Sequence, residues 1–283
     1  MRIANVAGRA KLLVDDRLVD INEVSGGQFS ADPMQLIPAL DELARRKSDW
    51  PLGTGVPMAG ARLGPPVPRP SKILAAAGNY REHIAEDGGA RVVDEGEPNL
   101  FARLPSALAG PFDAIEIPPG RVHVDWEAEL VVVIGSRAKR ISENEAWSHV
   151  AGVMCGQDIS DRDEQRRGSQ QFTMAKSFDT YAPVGPFLVT VDELDDRDDI
   201  RLECFLNGEQ VQSGSTRELI FSIPTLISWA SKIATLEPGD LFFTGTPAGV
   251  GAFRDPPRWL RPGDELRTNI VGVGEIESRV TSG

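Results

Sequence analysis

The chain is poor in sulfur and in imidazole: it has two cysteines and three histidines in 283 residues. Cys155 and Cys204 both lie in apolar strand patterns, so they read as reduced packing residues rather than a disulfide or a metal pair. No apolar run approaches membrane-spanning length, which argues against a membrane partner. The first ten residues lack an extended apolar signal core, and a cytoplasmic location is expected. Lysine and arginine are scattered rather than gathered in a stripe. With 42 acidic against 30 basic residues the formal charge is −12, and nucleic acid is not an expected partner. The stretch Gly245 to Gly251 is glycine-rich but lacks the Gly-Lys-Ser/Thr of a phosphate loop. Backbone contact with a small acid, through the turn at Thr246, is the functional expectation there.

What the chain does have is a group of carboxylates in informative places. Leu130 to Ile134 is apolar and β-branched, as in a buried strand. Glu127 and Glu129 precede and enter it at a spacing of two, which puts both on one face. Two like charges that close repel unless a cation lies between them. A hard divalent ion answers that problem, and Asp158 can supply a third oxygen. Ser142-Glu-Asn-Glu145 is a capping box that opens a short helix to about Val150, and Ala151 to Gln157 reads as a second strand. Strand, helix, strand returns Asp158 toward the glutamates. A solvated strand edge is the competing reading.

Three further groups bear on the acids. Lys176 stands in the mostly apolar run Thr173 to Phe178 and would suit an oxyanion or enolate; otherwise it is a surface lysine. Arg162 follows Asp158 and could grip a substrate carboxylate, or belong to a solvated charged loop. His83 and Glu86, spaced three apart on a helix, form a candidate general-base pair, or a surface ion pair. His123 and His149 are weaker candidates.

The organisation is α+β and β-rich. Residues 1–63 read as a small N-terminal β-rich unit, with a hairpin over Leu12 to Ile21 and a helix over Pro38 to Lys47. Residues 64–71, with Gly64-Pro-Pro-Val-Pro-Arg-Pro70, form a stiff linker. Residues 72–283 make the larger domain. Within it, Asn207-Gly208 signals a type I′ hairpin, and Pro-Gly-Asp at 238–240 and 262–264 marks two turns. Ser222 is expected to cap a helix through Ile233, with Leu226, Ile227, Ala230 and Ile233 inward.

From about residue 72 the chain resembles the fumarylacetoacetate hydrolase family. The blocks that carry the likeness run in family order: Ala77 to His83 with Glu86, Pro105-Ser-Ala-Leu108, Asp125-Trp-Glu-Ala-Glu129-Leu, Gln157 to Asp163, Ala175-Lys176-Ser-Phe178, Val184-Gly-Pro186, Asn207-Gly-Glu209, Leu236 to Asp240, and Thr244 to Gly251. The resemblance implies a mixed β-sandwich or roll. It implies Mg²⁺ or Mn²⁺ on Glu127, Glu129 and Asp158, with Ca²⁺ able to replace them in a crystal. It makes His83 and Glu86 a water-activating pair on a lid, with polar Glu86 to Asn99 as the mobile loop. It makes Lys176 an electrostatic stabiliser and Arg162, Gln165 and Thr246 substrate contacts. The implied function is hydrolysis of a carbon–carbon bond in a 2,4-dioxo acid such as an acylpyruvate, by a homodimer. The rivals are an isomerase of 2-hydroxyhepta-2,4-diene-1,7-dioate type, an oxaloacetate decarboxylase, and a non-catalytic cation- or acid-binding domain. Two departures stand out: Gln157 where the family often has Asn, and Phe101-Ala-Arg-Leu-Pro105 for the usual Phe-Leu-Lys-Pro, with Arg103 near that lysine.

Overall fold

The fold is organised around the strand Ala128–Ile134, every residue of which is buried. The computed structural model describes residues 1–50, 55–86, 96–168 and 170–283. Because side chains alternate across a strand, this run serves two cores. Leu130, Val132 and Ile134 face one, with Leu202, Cys204, Leu206 and Ile276. Val131 and Val133 face the other, with Met154, Val184, Leu188 and Leu241. A strand buried on both faces explains the unbroken apolar run.

Ala128–Ile134 lies inside a twelve-stranded mixed sheet. On one side it pairs antiparallel with Val150–Gln157, which pairs with Ala182–Thr190; on the other it pairs with Leu241–Phe243, then Ile73–Ala76 and Leu100–Arg103. Leu241–Phe243 and Ile73–Ala76 are parallel. The second sheet has five strands, in the order Glu209–Ser215, Arg201–Leu206, Glu265–Ile270, Gly274–Ser282 and Ile115–Ile117. It packs on the first across the core that holds Leu130 and Val132. Helices are few, so the β-rich expectation holds.

Local signals act as their chemistry requires. Asn207 and Gly208 have φ of 53° and 83°, the paired positive values of a type I′ turn, between Arg201–Leu206 and Glu209–Ser215. The backbone N–H of Ser142 donates to Glu145 Oε2 at 2.9 Å, and the helix turns from α to 3-10 before ending at His149. The two Pro-Gly-Asp turns are closed by their aspartates: Glu237 N–H donates to Asp240 Oδ2 and Arg261 N–H to Asp264 Oδ2, each at 2.7 Å.

The amino-terminal segment forms the expected hairpin, Arg9–Val14 with Arg17–Asp20, and the helix Leu40–Arg46. Its strand Arg2–Val6, however, pairs with Ala182–Thr190, so the large sheet continues through it. Ile3, Leu12, Leu36 and Leu43 share a core with Val131 and Val133. The proline-rich stretch 64–71 is packed as well: Val67 is fully buried, and Pro65 O accepts from Asn5 Nδ2 at 2.9 Å. One helical expectation fails. In Ile223–Ile233 the inward face includes Leu226, Ile227 and Ala230, but Ile233 is 69 % exposed. The buried face is rotated toward Ser228 and Ser231, whose hydroxyls bond Ile141 O at 2.8 Å and Ile141 N–H at 3.1 Å. Among the described residues no helix is long and apolar enough to cross a membrane.

Leu130→Ala removes a side chain with no exposure at the heart of both sheets' contact. It should cost about 2–5 kcal/mol, the usual range for deleting a buried leucine, measured as a lower denaturation midpoint at unchanged slope.

Candidate active site

The acids gather because two neighbouring strands end together. Glu129 stands opposite Gly156, and Gln157 opposite Ala128. Asp158 N–H donates to Glu127 O at 2.8 Å, which ties the two strand ends to each other. Gln157 reinforces the tie: its Oε1 accepts from Glu127 N–H at 2.9 Å, and its Nε2 donates to Thr268 Oγ1 in the second sheet at 2.8 Å. Glu127, Glu129 and Asp158 are all buried, and one oxygen of each lies within 4.8 Å of the others. The solvated-edge reading is thereby excluded.

Three cations are buried with them. Lys176 Nζ donates to Glu127 Oε2 at 2.7 Å and Asp158 Oδ2 at 2.6 Å, and is not a surface lysine. Arg162 Nη2 lies 2.7 Å from both Asp125 Oδ2 and Glu127 Oε1, while its Nη1 donates to Gln165 Oε1 at 2.8 Å. Arg103 donates to Asp158 Oδ1, to Tyr181 O at 2.9 Å and to the backbone oxygen of Lys176. Among the described residues Glu129 makes no ion pair; its Oε2 accepts the Gly245 N–H at 2.7 Å.

The electrostatics follow. Burial pushes the Glu129 carboxyl well above the usual carboxylate range, and the charges of Asp158 and Glu127 push it further. Burial would also raise Glu127, but Lys176, Arg162 and His83 outweigh it and hold that carboxyl below its ordinary value. Three hard oxygen donors, one of them unable to ionise comfortably without further positive charge, fit a divalent ion.

His83 and Glu86 share the helix Arg81–Glu86, with His83 Nδ1 3.1 Å from Glu86 Oε2. Glu86 Oε1 accepts the Gly249 N–H at 2.7 Å, and the His83 ring packs against Phe253 at 5.7 Å. His83, Glu127, Glu129 and Lys176 open on one cavity together with Gln165 and Thr246. Phe101 and Phe172, stacked at 5.2 Å, form its wall. Residues 87–95 of the expected loop lie outside the described residues.

The structure brings most of the expected site together and reassigns part of it. Arg162 lies behind the cavity, its guanidinium taken by Asp125, Glu127 and Gln165, so it is not a free grip for a substrate. The Thr246 hydroxyl donates to Ala128 O at 2.9 Å and accepts from Gln212 Nε2 at 2.8 Å, so it too is engaged. The amides of the glycine-rich segment hold the protein's own acids: Gly245 holds Glu129, Gly249 holds Glu86 and Gly251 holds Asp125. Asp125 and Arg103 were missed as site residues. A signal for Arg103 exists: it is two residues from Phe101 on one strand, hence on its cavity-facing side. His123 sits at the surface beside Asp163, and His149 contacts Ser136, both away from the acids.

Comparison with known proteins places the chain in a family. The fumarylacetoacetate (FAA) hydrolase C-terminal family matches residues 72–281. The human mitochondrial oxaloacetate tautomerase FAHD2A is 43 % identical over 216 residues, 76 % of this chain and 68 % of that protein. A Mycobacterium smegmatis structure assigned provisionally to HpcE has a TM-score of 0.93 at 42 % identity, with each chain covered completely. Maleylpyruvate hydrolase from Sphingobium sp. SYK-6, in complex with manganese (II) ion and pyruvate, has a TM-score of 0.82 at 30 % identity, again over both whole chains. Isomerases and hydrolases both occur among chains of this fold. The chain belongs to the fumarylacetoacetate hydrolase family, a family of enzymes.

The raised Glu129 sets a pH dependence. Between the ordinary glutamate value and its raised one, Glu129 keeps its proton in the metal-free protein. A cation must displace that proton, so apparent Mn²⁺ affinity should rise with pH across this window, and weaken as pH falls. Calorimetry in buffers of different ionisation enthalpy should show proton release on binding. Glu129→Gln should abolish the release and weaken binding at every pH.

Proposed function

We propose that this chain is a divalent-metal-dependent enzyme that forms and protonates the enolate of a short 2-oxo acid. The observation that carries the reading is the cavity on which Glu127, Glu129, Lys176 and His83 converge, with the Asp158 carboxylate within 4.8 Å of both glutamates. Glu127, Glu129 and Asp158 would hold the ion, which when bound would act as a Lewis acid toward the 2-oxo acid. Manganese is supported by the maleylpyruvate hydrolase complex; magnesium rests on the hardness of the donors.

The chain's own residues supply the proton chemistry. Glu86, fixed by Gly249, favours the tautomer in which His83 carries its proton on Nδ1. His83 Nε2 is then the base that takes a proton from the substrate carbon or from a water. Lys176 Nζ, steered by Glu127 and Asp158, places positive charge where an enolate oxygen develops. Phe101 and Phe172 keep that corner of the cavity apolar, which strengthens the electrostatic contact.

The enolate can be reprotonated or can leave. Keto–enol interconversion of an oxaloacetate-like acid is supported by the human tautomerase at 43 % identity. Carbon–carbon hydrolysis of a 2,4-dioxo acid, the expectation implied by the family resemblance, is supported by the maleylpyruvate hydrolase at 30 % identity. The higher identity puts proton transfer first and hydrolysis second, with decarboxylation of keto-oxaloacetate, which breaks the bond to the β-carboxylate, releases CO2 and leaves a pyruvate enolate to be protonated, as a third reaction the same residues could serve. The homodimer and the cytoplasmic location remain proposals; the human relative's name places that protein in mitochondria.

Metal-loaded protein given enol-oxaloacetate, an acylpyruvate and maleylpyruvate should speed ketonisation of the first most strongly. Hydrolysis products from the other two without any ketonisation would reverse the order. Inertness toward all three would refute the proposal. His83→Gln should lower the accepted reaction by about 10²–10⁴, the range for a positioned general base. Lys176→Met should lower kcat by about 10²–10³ with less effect on KM, as for a lost oxyanion donor.

A further inference from the structure

Behind the cavity, one carboxylate has two duties. Asp125 is fully buried and does not line the cavity. Its Oδ2 accepts from Arg162 Nε at 2.9 Å and lies 2.7 Å from Arg162 Nη2, which in turn is 2.7 Å from Glu127 Oε1. The same carboxylate accepts the Gly251 N–H at 2.7 Å on Oδ1 and the Ala252 N–H at 3.0 Å on Oδ2. Two residues before Gly251, the Gly249 N–H holds Glu86, and Glu86 faces His83.

The backbone between these anchors packs closely against its neighbours. A Cβ at Gly249 would lie 2.1 Å from Val211 O, and one at Gly251 would lie 1.9 Å from Arg258 O. A shift at residues 251–252 is therefore passed along the backbone to Gly249. On the other arm, Arg162 divides its charge between Asp125 and Glu127. Without the Asp125 charge the guanidinium would draw wholly onto Glu127 and compete with a cation there.

We propose that Asp125 is a positioning residue that couples the two halves of the site, setting Glu127 through Arg162 and Glu86–His83 through the loop 249–252. The inference rests on the roles proposed above for Glu127, Glu86 and His83.

Asp125→Asn is the direct test, because its amide keeps one acceptor for Gly251 but opposes the donors of Arg162 and Ala252. Mn²⁺ affinity by calorimetry should fall by about 10–100-fold, the range for a lost partner behind a metal ligand. The kcat for the substrate accepted by the parent should fall by a similar factor, with KM changed less than about threefold. In metal-free protein labelled with ¹⁵N-histidine, the His83 ring signals should move while those of His149 stay. A purely structural role would lower thermal stability and leave those signals and the Mn²⁺ affinity of the folded protein at parental values, which would overturn the proposal. Arg162→Lys, which reaches one acid rather than two, isolates one arm. It should weaken Mn²⁺ binding and leave the His83 signals in place; parental Mn²⁺ affinity in that variant would refute the arm toward Glu127. If the parent itself binds no Mn²⁺ and turns over no 2-oxo acid, the functional reading fails, whereas the His83 signals still decide whether Asp125 reaches the Glu86–His83 pair.

Discussion

Everything at this site depends on keeping four buried carboxylates, Asp125, Glu127, Glu129 and Asp158, from repelling one another. Asp125, Glu127 and Asp158 each contact at least one of Arg103, Arg162 and Lys176. Glu129 accepts the Gly245 N–H, and burial together with the charges of Asp158 and Glu127 pushes its carboxyl up. Buried charge is tolerated only when paired, so the fold carries a standing demand for one more positive centre beside Glu129. Arg103 and Arg162 are buried and do not line the cavity, Arg103 facing Asp158 and two backbone oxygens and Arg162 facing Asp125, Glu127 and Gln165. Among the described residues, Lys176 and His83 are the basic side chains that line the cavity.

How much of this could be read from the residues depends on whether a feature was local. The glutamate pair was legible because a spacing of two on a strand fixes a shared face, and Asp158 because a capped helix between two strands folds the chain back. The Asn207-Gly208 turn and the Ser222 cap are equally local, and both formed. Long-range partners were not legible. Arg162 follows Asp158 in the chain, but nothing local says that Asp125 takes two of its nitrogens. Asp125 continues the alternation of Glu127 and Glu129, yet it belongs to a separate short strand, Val124–Asp125 paired with Ser160–Asp161, and so faces the loop at 251–252 instead of the cavity. Ile233 fits a helical stripe by count alone; the hydroxyls of Ser228 and Ser231 turn the helix away from it.

The amino-terminal segment illustrates the same limit at a larger scale. A proline-rich stretch after residue 63 suggests separation, and the family match begins at residue 72. Strand pairing nevertheless joins Arg2–Val6 to Ala182–Thr190, and the core behind Val131 and Val133 is filled from both sides of that stretch. The acid-bearing strand is thus packed on both faces, which suits the cation site proposed for Glu127, Glu129 and Asp158. The departure at Gln157 fits this picture, since its longer side chain spans from Glu127 N–H to Thr268 in the second sheet.

The central claim is that Glu127, Glu129 and Asp158 form a divalent-cation site for which Lys176 holds the acids in waiting. Anomalous diffraction from crystals grown with saturating Mn²⁺ tests it most directly. The account predicts one strong peak ringed by oxygens of all three carboxylates, with Lys176 Nζ having released at least one of Glu127 and Asp158. A strong peak elsewhere, or no peak, with Lys176 still bonded to both acids, would contradict it.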